Sequence, residues 1–382
     1  MRILFISGVA RGGSPQSTRE LTRRLAARGH AVGALFGVDE APRRRQLHKR
    51  TVNLAVKLGS SPLARVPETL AGWICRRPRT VPGTGDVQTW ESPIPSSAFP
   101  TVEARFRPDV VVASSIDRMD WRSIRARLRE HGTPSVLYVR EQNAFGHLTV
   151  SQAPPDRLVT NAAVHTEHAA ELGFDAATVP SVVSVDDCLV TSTREKVLLV
   201  NPTALYGVDV ALELAATRPD VAFALAESSV LADDEVDALT ARLAGLPNVE
   251  LRRFSPDARA LYRDARVLLA PYRSNGRPRV VLEAQANGIP VLASDLPALR
   301  EAVGPGGLVV DADAPAAEWA RALSRLVDDP ARYETFAAAA REHSRRAEVD
   351  PEAITDRFEA VLTELLAGPG GASREAGDVR WS

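Results

Sequence analysis

Short β-branched apolar runs alternate with segments of helical period along most of the chain. Residues 2–7, 31–37, 86–91, 109–114, 135–140 and 157–161 read as strands, with an amphipathic helix at 16–28 and further helical segments between most of the rest. The pattern restarts near residue 191: strands at 197–201, 220–226, 248–254, 266–271, 289–294 and 307–311. Helices at 208–217, 233–244, 258–264, 278–287 and 296–303 separate them. Near-continuous apolar strands divided by helices predict parallel sheets covered on both faces. There are too many strands for one sheet, so two doubly wound Rossmann-like α/β domains are predicted. Their boundary falls within 184–196, giving domains at 1–185 and 186–367. The polar, glycine-rich tail at 368–382 is predicted to be disordered. Ligands of such sheets bind beyond the strand carboxyl ends, so two facing sheets predict a cleft between them.

Composition alters this picture little. The chain has 382 residues, 45% hydrophobic and 25% charged, as in ordinary globular proteins. Cys75 and Cys188 lie too far apart in sequence to suggest a metal site or a disulfide framework, which favours a reducing cytoplasm. The start is not read as a signal peptide, and no run approaches the roughly 18 apolar residues of a membrane span. Charge is uneven: residues 1–185 carry 25 cations and 16 anions, and 186–382 carry 22 and 32. The basic half is expected to meet an anionic acceptor, or its arginines are a solvated surface. Only Lys49, Lys57 and Lys196 are lysines, as a high-GC, bacterial genome would give. The segment PRRRQLHKRTVNLAVKLG at 42–59 sets basic residues beside Leu47, Leu54 and Leu58. It reads as a solvated helix or as a contact with an anionic membrane that guides a lipid-linked acceptor. Arginine clusters without interleaved aromatics do not favour nucleic acid.

Two stretches carry candidate chemistry. Gly12 and Gly13 follow the first strand and open a helix. The spacing from Gly8 mimics a phosphate-binding loop without its Lys, and no dinucleotide fingerprint is present. What remains is a bare backbone at a helix N-terminus, suited to an anion or simply to a turn. The second stretch is SNGRPRVVLEAQANGIPVLAS at 274–294. Pro278 suits the first helical turn, Gly288 the position after the helix end, and Pro290 stops continuation. Backbone N–H groups near Arg279 and Val280, with the Arg277 and Arg279 guanidiniums, make an anion site at that helix start. Glu283, one turn on from Arg279, is either a diol acceptor or the partner in an i,i+4 pair. His147, His165 and His168 show no partner pattern and read as surface residues. Asp311 and Asp313 mimic a D-x-D metal motif but follow the last strand, so no metal is expected.

Residues 274–294 and the continuation to Val310 resemble the C-terminal signature of GT-B glycosyltransferases, especially the retaining family 4, which carries E-x7-E here. The resemblance extends over the whole chain, strongest at 275–310 and weakest at 41–107. It implies that Glu283 binds the donor ribose and that Asn275, where the family has Glu, meets the donor sugar, with Gly276 beside it. In VNPTALYG, Asn201 and Tyr206 stand where the family has an Arg and a Lys on the donor diphosphate. Arg140 stands near the family's His after the fifth strand and is expected to bind a phosphate or the acceptor. The resemblance implies an acceptor-binding N-terminal domain, a nucleotide-sugar-binding C-terminal domain and a last helix that packs back on the first. It also implies metal-independent transfer with retention, and no tightly bound cofactor besides the nucleotide-sugar co-substrate. Arg279 and Arg140 are the expected catalytic cations. Two other readings stay open: a non-catalytic binding or scaffold protein of this fold, and a nucleotide-sugar epimerase.

Overall fold

The computed structural model describes residues 1–38, 77–83, 85–145, 153–228 and 231–368. The basic segment at 42–59, His147 and residues 369–382 of the tail lie outside them. In chain order the first part holds β1 (Arg2–Ser7), α1 (Gly13–Ala27), β2 (Ala31–Gly37), β3 (Arg79–Val81), β4 (Gln88–Ser92), α2 (Pro95–Phe106) and β5 (Val110–Ser114). It continues with α3 (Arg118–His131), β6 (Ser135–Val139), β7 (Arg157–Thr160), α4 (Ala163–Glu171) and β8 (Ala176–Thr178). The second part has β9 (Lys196–Val200), α5 (Val208–Thr217), β10 (Ala222–Ala226), α6 (Asp233–Leu243), β11 (Val249–Arg252), α7 (Arg259–Tyr262) and β12 (Ala265–Ala270). Then come α8 (Arg279–Ala286), β13 (Val291–Ser294), α9 (Pro297–Val303), β14 (Gly307–Val310), α10 (Ala316–Val327), α11 (Pro330–His343) and α12 (Pro351–Ala367).

Among the described residues these strands form two sheets, ordered β3-β4-β2-β1-β5-β6-β7-β8 and β11-β10-β9-β12-β13-β14. Every pairing is parallel except β3 with β4. The predicted fold of two doubly wound sheets is therefore the observed one. Each sheet reverses its winding once, between β1 and β5 in the first and between β9 and β12 in the second. Crevices open beyond the strand ends at such reversals.

The central strands β1, β5 and β6 are buried along most or all of their length, which is why their sequences show no alternation. Local signals set the helix ends. Asp117 caps α3 by accepting from the Met119 and Asp120 amides at 2.9 Å, and Gly132 closes that helix at φ 66°. The helix α12 crosses from the second part to the first. Its Phe358 stacks between Phe5 and Tyr138, each at 5.9 Å. Arg28 of α1 meets Glu352 at 2.6 Å and Asp356 at 2.7 Å on α12.

Candidate functional site

A cleft of about 730 Å³ opens at the winding reversal of the first sheet, lined by first-domain residues and by Tyr206 of the second domain. On the first domain its floor is the turn from Gly8 to Pro15 after β1 and the turn of Ser115 to Asp117 after β5. These turns fit closely: a Cβ on Gly8 would stand 2.5 Å from the Ser115 carbonyl oxygen, and the Gly8 amide donates to that oxygen at 3.0 Å. Ser115 takes a left-handed backbone, φ 46°, and its hydroxyl lies 2.6 Å from that of Ser14. From the second domain Tyr206 reaches into the cleft, its ring edge-on to Tyr272 at 4.9 Å. Burial, and then the nearby Glu141 carboxylate, push the Tyr206 hydroxyl pKa up, so this phenol is a neutral hydrogen-bonding group.

The two glycines divide between two tasks. Gly12 has φ 100° and open space where a Cβ would be, so its bare backbone faces the cleft. Gly13 is bare for another reason. A Cβ there would stand 3.2 Å from Cδ and 3.3 Å from Cγ of Arg279, which crosses from the second domain.

Arg279 corrects the sequence reading. Its guanidinium does not line the cleft. It is 9% exposed; Nε donates to Glu283 at 2.5 Å, Nη2 to Glu20 at 2.8 Å and Nη1 to Ser17 at 3.2 Å. Burial opposes its charge, but Glu283 and Glu20 outweigh burial and hold its pKa above the ordinary value. Glu283 is 4% exposed and takes a second donor, the Tyr262 hydroxyl, at 2.5 Å. Burial first, then Glu283, raise the Tyr262 pKa. In this arrangement both Glu283 oxygens are engaged away from the cleft by Arg279 and Tyr262 of its own domain, so ribose binding by Glu283 requires that these bonds rearrange. The alternative i,i+4 pairing is present, but as part of a buried interdomain cluster.

Arg140 also turns inward. Strand β6 ends at Val139, and Arg140 lies over the Tyr138 ring at 4.2 Å. Its Nη1 donates to Ser181 at 2.8 Å and its Nη2 to Thr18 at 3.3 Å. Burial and the neighbouring Arg279 lower its pKa, with Glu20 opposing. Arg140 thus borders the cleft while its charge belongs to the cluster of Arg279, Glu20 and Glu283. Asn201 sits at φ 62° and its Oδ1 accepts from the Ser228 hydroxyl at 2.6 Å, so it builds a turn and does not line the cleft.

The loop before α8 docks on the first domain instead of standing open. Gly276 pairs with Glu141 as an antiparallel bridge. The Asn275 carbonyl accepts from the Gln142 amide, its Nδ2 donates to Gln142 Oε1 at 2.8 Å, and its Oδ1 accepts from the Ala298 amide at 2.9 Å. Arg277 pairs with Glu301 at 2.9 Å, and burial lowers its pKa. Val280 packs half-buried against the second core. The predicted anion site at this helix start is therefore closed by acids and by the facing loop. Arg273 pairs with Asp313, the second acid of the D-x-D mimic, at 3.3 Å.

His165 was read as a surface residue and is 1% exposed. Its Nε2 lies 2.9 Å from the Asn275 carbonyl oxygen, across the domain interface. Burial lowers its pKa below the ordinary 6.5, with the Asn275 carbonyl partly opposing. The unfolded chain then binds the extra proton between the two values. This contribution to stability is complete above about pH 6.5 and is lost as pH falls. The melting temperature is expected to drop on acidification from about pH 7 to 5, and to drop less in His165→Gln. His343 shifts in the same direction, so some pH dependence remains in that variant. Glu20 and Tyr262 were not singled out from sequence, and His165 was read only as a surface residue. Helical period does not distinguish a polar residue at a domain interface from one facing solvent.

Residues 206–329 match the family described as Glycosyl transferases group 1. A D-inositol 3-phosphate glycosyltransferase of Thermobispora bispora is 36% identical over 146 residues, covering 37% of this chain. The match spans only 32% of that relative's length. Sucrose-phosphate synthase from Thermosynechococcus elongatus superposes with a TM-score of 0.73 at 17% identity, over 96% of this chain and 99% of its own. HepE of Anabaena, solved with UDP-glucose, gives 0.69 at 14% identity over 95% and 99%. The chain shares the GT-B fold over nearly its whole length, and within its second domain residues 206–329 match the glycosyl transferases group 1 family.

Proposed function

We propose that the protein is a glycosyltransferase that moves a sugar from a nucleotide-sugar donor to an acceptor bound mainly by the first domain. The observation that carries this reading is a cleft at the first sheet's winding reversal into which Tyr206 of the second domain reaches. The Gly12 turn and the α1 N-terminus stand on one side, Tyr206 on the other. Free N–H groups there suit the donor diphosphate, and charge growing on it as the glycosidic bond breaks is stabilised where they point. The family match supports the reaction class, and the resemblance supports retention without a metal. HepE, solved with UDP-glucose, supports UDP as first probe, and the relatives' name supports D-inositol 3-phosphate as first acceptor.

UDP at about a hundred times its Kd is expected to add about 2.7 kcal/mol to stability, while a nicotinamide dinucleotide adds none. Equal effects of UDP, GDP, ADP and the dinucleotide, or none from any, overturn the donor site. A second reading, a non-catalytic protein of this fold, is favoured by one observation: Arg279 and Glu283 are wholly engaged with each other and with Glu20 and Tyr262. Under it UDP binds without turnover of any UDP-sugar. The basic segment at 42–59 remains our proposed contact for a lipid-linked acceptor. Replacing Arg43, Arg44 and Arg45 by Gln is expected to weaken binding to anionic vesicles at low salt and leave UDP affinity unchanged.

A further inference from the structure

Helix α1 carries one acid that the cleft does not use. Glu20 is 7% exposed, and its two oxygens are committed to different parts of the molecule. Oε1 accepts from Arg279 at the start of α8 in the second domain, at 2.8 Å. Oε2 accepts from the Ser184 amide at 2.6 Å. Ser184 lies in the connection that leaves the first sheet after Thr178 and enters the second at Lys196. One carboxylate therefore holds the connector and the helix beyond it to the same turn of α1. Ser17 adds a contact to the Arg279 fork at 3.2 Å, and the bare Gly13 backbone admits the Arg279 stem.

We propose that Glu20 is a positioning residue for glycosyl transfer, clasping Arg279 and the connector so that the two crevices meet in the closed arrangement. This rests on the transferase reading above. The argument is one of charge. With Glu20 neutral, the cluster of Arg140 and Arg279 keeps only Glu283 as its anion. Two buried cations facing one anion regain solvation by opening, so the closed population falls. Nucleotide held mainly at the Gly12 turn and the α1 N-terminus of the first domain leans little on the clasp. Transfer needs both crevices together and water excluded.

The test compares Glu20→Gln and Glu20→Asp with the wild type by small-angle scattering and hydrogen exchange. Turnover with UDP-glucose and Kd for UDP complete it. Glu20→Gln is expected to enlarge the radius of gyration and to speed amide exchange around Ser184 and in α8. It should lower kcat by about tenfold or more while the Kd for UDP stays within about threefold. Glu20→Asp keeps the charge and should recover part of each effect. Wild-type scattering and exchange in Glu20→Gln, with only a lower melting temperature, overturn the clasp. Absence of UDP binding and turnover in the wild type overturns the transferase reading instead, and scattering and exchange still decide whether Glu20 holds the domains.

Discussion

Arg279→Ala is expected to remove about 3–5 kcal/mol of stability, the loss found when one member of a buried ion pair is deleted. Two acids are stranded at once. Glu20 is 7% exposed and Glu283 is 4% exposed, so both are left largely out of water. An exposed i,i+4 pair would lose only about 0.3–0.5 kcal/mol. Urea unfolding of wild type and variant separates the two outcomes, and a shift of the smaller size refutes the buried cluster. Arg279→Met combined with Glu20→Gln should recover part of the loss, because an apolar side chain of similar volume fills the site and only Glu283 is left stranded. The expected defect is thus first one of stability and domain closure. Read from the sequence as a catalytic cation, Arg279 was expected on loss to lower kcat more than it raises KM.

Gly207→Ala is expected to lose about 2–4 kcal/mol, since two costs fall on one atom. Gly207 has φ 74°, where a Cβ is disfavoured, and that Cβ would stand 2.1 Å from the Pro271 carbonyl oxygen. The oxygen is backbone, so the turn after β9 and the turn after β12 must separate. Tyr206, the preceding residue, then loses its edge contact with Tyr272 and its place in the cleft. UDP should raise the melting temperature of this variant less than that of the wild type. Gly12→Ala supplies the contrast. Its φ of 100° and ψ of 178° suit glycine almost alone, but nothing lies within 4 Å, so only the backbone cost of about 1–3 kcal/mol applies. A loss in Gly207→Ala no larger than the left-handed backbone cost of about 1–2 kcal/mol would refute the argument from the Pro271 contact.

The alternation of apolar runs and helical periods made the two sheets legible, because strands buried on both faces and helices buried on one leave different periods. β3 and β8 escaped notice, being three residues each and too short for any period. The start of α8 was legible from Pro278, which is its N-cap in the structure. The partner chosen by Arg279 was not. Glu20 lies 259 residues away in sequence, and an acid on an amphipathic helix looks the same whether it meets water or another domain. Arg140 was placed at the strand end correctly, but its direction depends on Thr18 and Ser181, which only the packed chain brings together.

The crossing of α12 to the first domain bears on synthesis. Ile354, Phe358 and Leu362 are fully buried in the core beneath Phe5 and Tyr138, yet they are translated after the whole second domain. While the ribosome adds those intervening residues, at about 5–20 per second, the first domain waits on the order of ten seconds or more with an apolar face bare. That nascent face is a chaperone's substrate. A premature stop before Pro351 should therefore yield an aggregating chain even though both sheets are complete.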